Sequence, residues 1–113
     1  MKLLITFTFT IFDFITGLIK AFKQKEYTSS VMREGLFHKV GEWLLIMAGL
    51  LADYTQKYID IGITIPVTTT ICAYIILMEI GSIIENIGKI NPSLIPEKIK
   101  PFFHKLKEVE ENE

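Results

Sequence analysis

Apolar residues concentrate in three long blocks, separated by short polar stretches. The blocks run over about residues 3–22, 35–60 and 64–88. A helix of about 20 residues is about 30 Å long, which matches the hydrocarbon thickness of a bilayer. The pattern therefore predicts an all-α fold, a small integral membrane protein with two to three transmembrane helices, three being favoured.

Each block also carries a polar stripe along one helical face, drawn at about 100° per residue. In the first block the stripe consists of Thr6, Thr10, Asp13, Thr16, Gly17, Lys20 and Gln24. In the third block it consists of Thr64, Thr68, Cys72, Glu79, Ser82 and Asn86, with Glu85 at its edge. Lipid cannot satisfy these groups, so the stripes should face partner helices or a water-filled cavity.

The second block is strongly amphipathic. Its polar arc contains Gly35, His38, Lys39, Glu42, Gly49, Asp53, Gln56, Lys57 and Asp60, while Trp43 lies on the opposite, apolar face. The spacing of Lys39 with Glu42, and of Asp53 with Lys57, suits pairs within one helix. The uninterrupted apolar stretch, residues 43–52, is too short to span a bilayer by itself. The block either spans with its stripe facing protein or water, or lies in the membrane interface.

The charges of the connecting segments predict an orientation. The connection between the first two blocks carries Lys20, Lys23, Lys25 and Arg33 against Glu26, and Ser29 or Ser30 is a good N-cap for the second helix. Short basic loops stay in the cytoplasm. We expect a membrane domain over residues 1–96, a charged cytoplasmic tail over 97–113, and an outside N-terminus in the bacterial cytoplasmic membrane.

Composition and motif content argue against several classes of function. Half of the residues are hydrophobic and the net charge is −1, so no general electrostatic attraction to nucleic acid is expected. The single Cys72 excludes a disulfide within the chain, and His38 and His104 are too distant for a local metal motif. No nucleophile with an oxyanion site or phosphate-binding loop is recognisable. We therefore expect neither an enzyme nor a cofactor or metal site.

Two groups of motifs resemble those of a known family. The first comprises Asp13-Phe14-Ile15-Thr16-Gly17, Lys20-Ala21, Lys23, Lys25, Ser29-Ser30, Gly35 and Lys39. The second comprises Glu79, Ser82-Ile83-Ile84-Glu85-Asn86, Gly88, Pro92, Pro96 and Lys98, and includes the pattern E-x-x-S-I-x-E-N. Together they resemble the phage holin family, which also includes clostridial toxin-secretion holins. The resemblance implies a homo-oligomer that makes membrane lesions through which an endolysin or a toxin leaves the cytoplasm.

Two other functions remain open at this point. A small proton-coupled multidrug-type transporter could use Asp13 or Glu79 as its cation site, and a passive membrane scaffold or immunity protein could use the stripes for packing alone. In each case the lipid bilayer is a partner. The candidate oligomer-facing or pore-facing residues are Asp13, Gly17, Lys20, Lys39, Glu42, Asp53, Glu79, Ser82, Glu85 and Asn86.

Overall fold

A computed structural model describes residues 1–94, together with Pro101, Lys105 and Glu108. Residues 1–94 contain three helices, α1 (Lys2–Lys23), α2 (Ser29–Gln56) and α3 (Val67–Ile90), followed by a 3-10 turn at Pro92–Leu94. Each of the three is long and apolar enough to cross a membrane. The all-α prediction and the favoured number of three helices are confirmed. Apart from those three isolated residues, the predicted tail over 97–113 lies outside the described residues.

The helix boundaries differ from the expected ones chiefly in α2. It begins six residues earlier than the apolar block, at Ser29, and its N-cap is Thr28 rather than Ser29 or Ser30. The Thr28 hydroxyl oxygen accepts the amide of Val31 at 3.1 Å, which satisfies one of the free donors of the first turn. The helix also ends earlier, at Gln56, before a turn in which Gly62 adopts a φ of 80°.

The three helices alternate in direction, so α1 and α3 are parallel. Lys2 Nζ donates to Thr69 Oγ1 at one end of this pair, and Lys23 Nζ donates to the carbonyl of Ile90 at the other. Helix α3 packs against both neighbours, whereas α1 and α2 touch each other only sparsely. The α1–α2 connection and the end of α3 therefore lie at one end of the bundle, and the N-terminus lies at the other.

The distribution of polar residues is reversed relative to a water-soluble bundle. Large apolar side chains such as Leu4, Phe12, Leu51 and Leu77 are exposed on the outer surface. Among the described residues, the buried polar ones are Thr6, Thr10, Asp13, Thr16, Lys39, Glu42, Thr68, Glu79 and Asn86. Lipid is the solvent in which this arrangement is favourable, because it accepts apolar side chains and excludes unpaired polar groups. A single chain thus turns its polar stripes toward its own neighbouring helices.

Apolar contacts hold the half of the bundle that contains the N-terminus. Ile46, Cys72 and Ile75 form its buried centre. The rings of Phe7 and Trp43 meet edge to face, with centroids 5.7 Å apart. Close-fitting side chains therefore fill this half of the bundle between the three helices. The buried charged residues lie next to this apolar half, near the middle of the helices.

Candidate functional site

The ammonium group of Lys39 lies at the centre of the buried polar residues. Its Nζ atom is 2.5 Å from Asp13 Oδ2 on α1 and 2.6 Å from Glu79 Oε2 on α3. It is also 3.2 Å from Glu42 Oε1, one turn along α2. One side chain therefore joins all three helices through charge-assisted hydrogen bonds, which are stronger than neutral ones. We call Asp13, Lys39, Glu42 and Glu79 the charge cluster.

Asn86 extends this network between α1 and α3. Its Nδ2 atom donates to Asp13 Oδ1 at 3.2 Å and to Thr16 Oγ1 at 3.0 Å. Both oxygens of the Asp13 carboxylate are therefore engaged, one by Lys39 and the other by Asn86. The amide also orients Asp13 toward the interior, which places its charge where Lys39 can reach it.

The charge cluster has more acidic than basic groups. The carboxylates of Asp13, Glu42 and Glu79 surround the Lys39 ammonium, and all four residues are at most 9% exposed. Glu42 Oε1 lies 3.3 Å from His38 Nδ1 as well, but Glu42 Oε2 is buried without a hydrogen-bond partner among the described residues. A buried charge is costly unless it is paired. The helix arrangement at this level therefore depends on Lys39.

A crevice of about 380 Å³ leads to the cluster between α1 and α2. It begins near the α1–α2 connection, where Glu26 and Glu34 are exposed, and ends at the buried carboxylates of Asp13 and Glu79. The sparse contact between α1 and α2 leaves this space open. The charge cluster is therefore not fully enclosed by protein on the side of the connection.

The remaining predicted residues divide into two groups. Gly17, Lys20 and Ser82 line the crevice that leads to the cluster. Asp53 and Glu85 do not join it. Asp53 caps α3 across the other connection, where its Oδ1 and Oδ2 atoms accept the amides of Val67 and Thr68 at 3.0 and 2.9 Å. Glu85 Oε1 pairs with Lys89 Nζ at 3.2 Å on a partly exposed surface.

Two contributions were not anticipated from the sequence. Trp43, assigned to the apolar face of α2, donates its indole N–H to Thr10 Oγ1 at 3.2 Å. Thr16 accepts the Asn86 amide and is part of the network. The polar stripe of α1 already contained both threonines, but helical periodicity alone does not show which partner each hydroxyl meets. The amphipathic character of Trp was the available signal for the first contact.

Comparison with known protein families identifies a match. Residues 1–108 match the family model of the bacteriophage holin family. No curated protein and no solved structure matches the chain significantly. The matched range covers all three helices, the charge cluster and the crevice. This match is nearly complete, and it agrees with three apolar helices that enclose charged groups between them. The chain therefore belongs to the bacteriophage holin family.

Proposed function

We propose that the protein is a holin that oligomerises in the cytoplasmic membrane and forms lesions through which a phage endolysin or a toxin is released. The observation that carries this proposal is the reversed polarity of the bundle, added to the family membership. Charged groups suited to lining an aqueous hole are present near the middle of all three helices, and α1 and α3 add buried hydroxyl groups. In a single chain they are turned toward each other.

Lesion formation would require these groups to exchange partners. Separating Lys39 from Asp13 and Glu79 inside lipid would leave several charges unpaired, at a cost of several kcal/mol. Water or the polar stripe of another copy would remove most of this cost. The polar stripes therefore become stable in an open arrangement only when many copies assemble, which gives a physical reason for collective lesion formation by a homo-oligomer.

The charge cluster argues against the transporter alternative. Both acids proposed for a cation site, Asp13 and Glu79, are bound by Lys39 at 2.5 and 2.6 Å. A transported cation would have to displace an ammonium held by both. A passive scaffold, in contrast, would use the same packing, so only a functional measurement separates it from the holin.

Expression of the chain together with an endolysin that lacks a secretion signal is expected to lyse a bacterial host abruptly. The endolysin is harmless in the cytoplasm, and lysis follows only if lesions let it reach the cell wall. Culture turbidity and release of a cytoplasmic enzyme are the measurements, with the endolysin alone as control. Continued growth, with the chain verified in the membrane fraction, would favour the passive scaffold.

We further propose that the α1–α2 connection and the end of α3 face the cytoplasm. Both lie at one end of the bundle, which carries Lys20, Lys23, Lys25, Arg33 and Lys89. The positive-inside rule favours this orientation. In spheroplasts at low expression, on a Cys72→Ser background, an impermeant thiol reagent is expected to label Tyr58→Cys at once. Lys25→Cys should react only after permeabilisation, and the opposite order would reverse the proposed orientation.

A further inference from the structure

We infer that the crevice between α1 and α2 is a water-filled path by which small hydrophilic cations reach the charge cluster from one end of the bundle only. Its outer residues, including Glu26 and Glu34, are exposed near the α1–α2 connection, and its inner residues, Asp13 and Glu79, are buried. Asp13 lies ten residues before the end of α1. The path therefore extends about 15 Å, to the middle of the helix.

The chemistry of the inner end favours water over a lipid chain. A hydrocarbon chain placed there would contact carboxylates, an ammonium and the amide of Asn86, none of which it can solvate. The crevice volume of about 380 Å³ has room for about a dozen water molecules at about 30 Å³ each. Such waters would find several polar partners along the wall, which is the condition for stable hydration.

The path ends at the cluster because the other half of the bundle is closed. Beyond Lys39, the indole of Trp43 is hydrogen-bonded to Thr10 and packed against the ring of Phe7. Ile46 and Cys72, each at most 2% exposed, close the space further along. Water that enters from the α1–α2 connection thus reaches the cluster without crossing the membrane.

The charges that line the crevice favour cations, although the other exposed charged residues at this end of the bundle are mainly basic. Carboxylates of Asp13, Glu26, Glu34 and Glu79 line the crevice, against the ammonium groups of Lys20 and Lys39. A cleft with low-dielectric walls concentrates counter-ions of the opposite sign. The ions that contact the cluster would thus come from one side of the membrane. That side is the cytoplasm if the proposed orientation holds, whereas the path itself does not depend on lesion formation.

Two consecutive positions of α3 offer a matched test. Met78 lines the crevice, while Leu77 is 49% exposed on the outer, lipid-facing surface. With the full chain in nanodiscs, on a Cys72→Ser background, a charged methanethiosulfonate reagent is expected to modify Met78→Cys at least about tenfold faster than Leu77→Cys. The reason is that only a hydrated thiol ionises and meets the reagent.

Two further positions serve as controls. Ser82→Cys, which also lines the crevice, should react like Met78→Cys. In the chain that keeps it, the native Cys72 in the closed half should stay unmodified.

The sign of the reagent tests the charge of the path. With rates normalised to the exposed Tyr58→Cys, a cationic reagent is expected to react with Met78→Cys about tenfold faster than an anionic one. Combining Glu26→Gln with Glu34→Gln should reduce this preference, whereas Glu85→Gln, which lies outside the crevice lining, should not.

Two outcomes would overturn the inference. Equal rates at Met78→Cys, Ser82→Cys and Leu77→Cys would show a lipid-filled crevice. Rapid modification of Cys72 would refute a path closed at one end. Lysis is not needed for any of these readouts, so the result is independent of the proposed function.

Discussion

Replacing Lys39 by methionine is expected to destabilise the helix bundle by about 3–5 kcal/mol, the usual range for removing one partner of a buried ion pair. Methionine is similar in length but leaves Asp13, Glu42 and Glu79 buried at the same level without the ammonium that all three contact. The three carboxylates would repel each other and lose their hydrogen bonds to Lys39, which would separate the helices at the level of the cluster. Thermal unfolding in detergent, followed by a thiol-reactive dye at the buried Cys72, measures the effect.

A control uses a lysine that lies far from the cluster, at the other end of the same helix. Lys57 is exposed at the C-cap of α2, so Lys57→Met should leave the unfolding midpoint nearly unchanged. Adding Asp13→Asn, Glu42→Gln and Glu79→Gln to Lys39→Met should recover much of the loss, because buried charges are then no longer unpaired. Equal midpoints for Lys39→Met and Lys57→Met would contradict the central role assigned to Lys39.

Replacing Gly49 by valine is expected to separate α2 from α3 and to destabilise the bundle by about 1–3 kcal/mol. A Cβ atom at this position would lie 2.9 Å from Ile71 Cδ1 and 3.2 Å from Thr68 Cα. The isoleucine side chain can shift, but the backbone of α3 at Thr68 cannot move without disturbing the cap that Asp53 provides. The same dye-based unfolding measurement at Cys72 reports the loss.

Gly41 is the control for this change. It lies on the same helix, and a Cβ atom there meets nothing within 4 Å. Gly41→Val therefore introduces the same side chain and the same change in helix propensity without the steric conflict. A midpoint for Gly49→Val equal to that of Gly41→Val would mean that α2 and α3 do not approach as closely as the structure shows.

The approach of α2 and α3 at Gly49 also explains the position of the charge cluster. Tight contact near the α2–α3 connection holds these two helices together at one end, while α1 and α2 contact each other only sparsely. The cluster lies between the closed half and the open crevice. Its ion pairs therefore join α1 to α2 at a level where apolar packing between them is sparse, and this places the main α1–α2 link on Lys39.

The amino-acid sequence by itself determined the helical class, the three apolar blocks and the polar face of each, because these properties follow from local periodicity and from the length needed to cross a bilayer. The motifs around Asp13, Gly17, Glu79 and Asn86 also indicated the family, since residue identity and spacing are properties of the chain alone. The beginning of α2 was less accessible, since an apolar block marks where a helix is hydrophobic and not where Thr28 caps it.

Only the tertiary structure decided which stripe residues meet. Periodicity places Asp13, Lys39 and Glu79 on polar faces. The axial register of the three helices, however, depends on close contacts between helices such as the one at Gly49, and the pattern of a single helix does not reveal such contacts. The same register brings Asp53 of α2 to the start of α3 as a cap. Glu85, in contrast, pairs within α3 with Lys89, four residues further on, and takes no part in the contacts between helices described for the cluster. Partner choice is a property of packed helices, because it requires distances between residues that lie far apart in the chain.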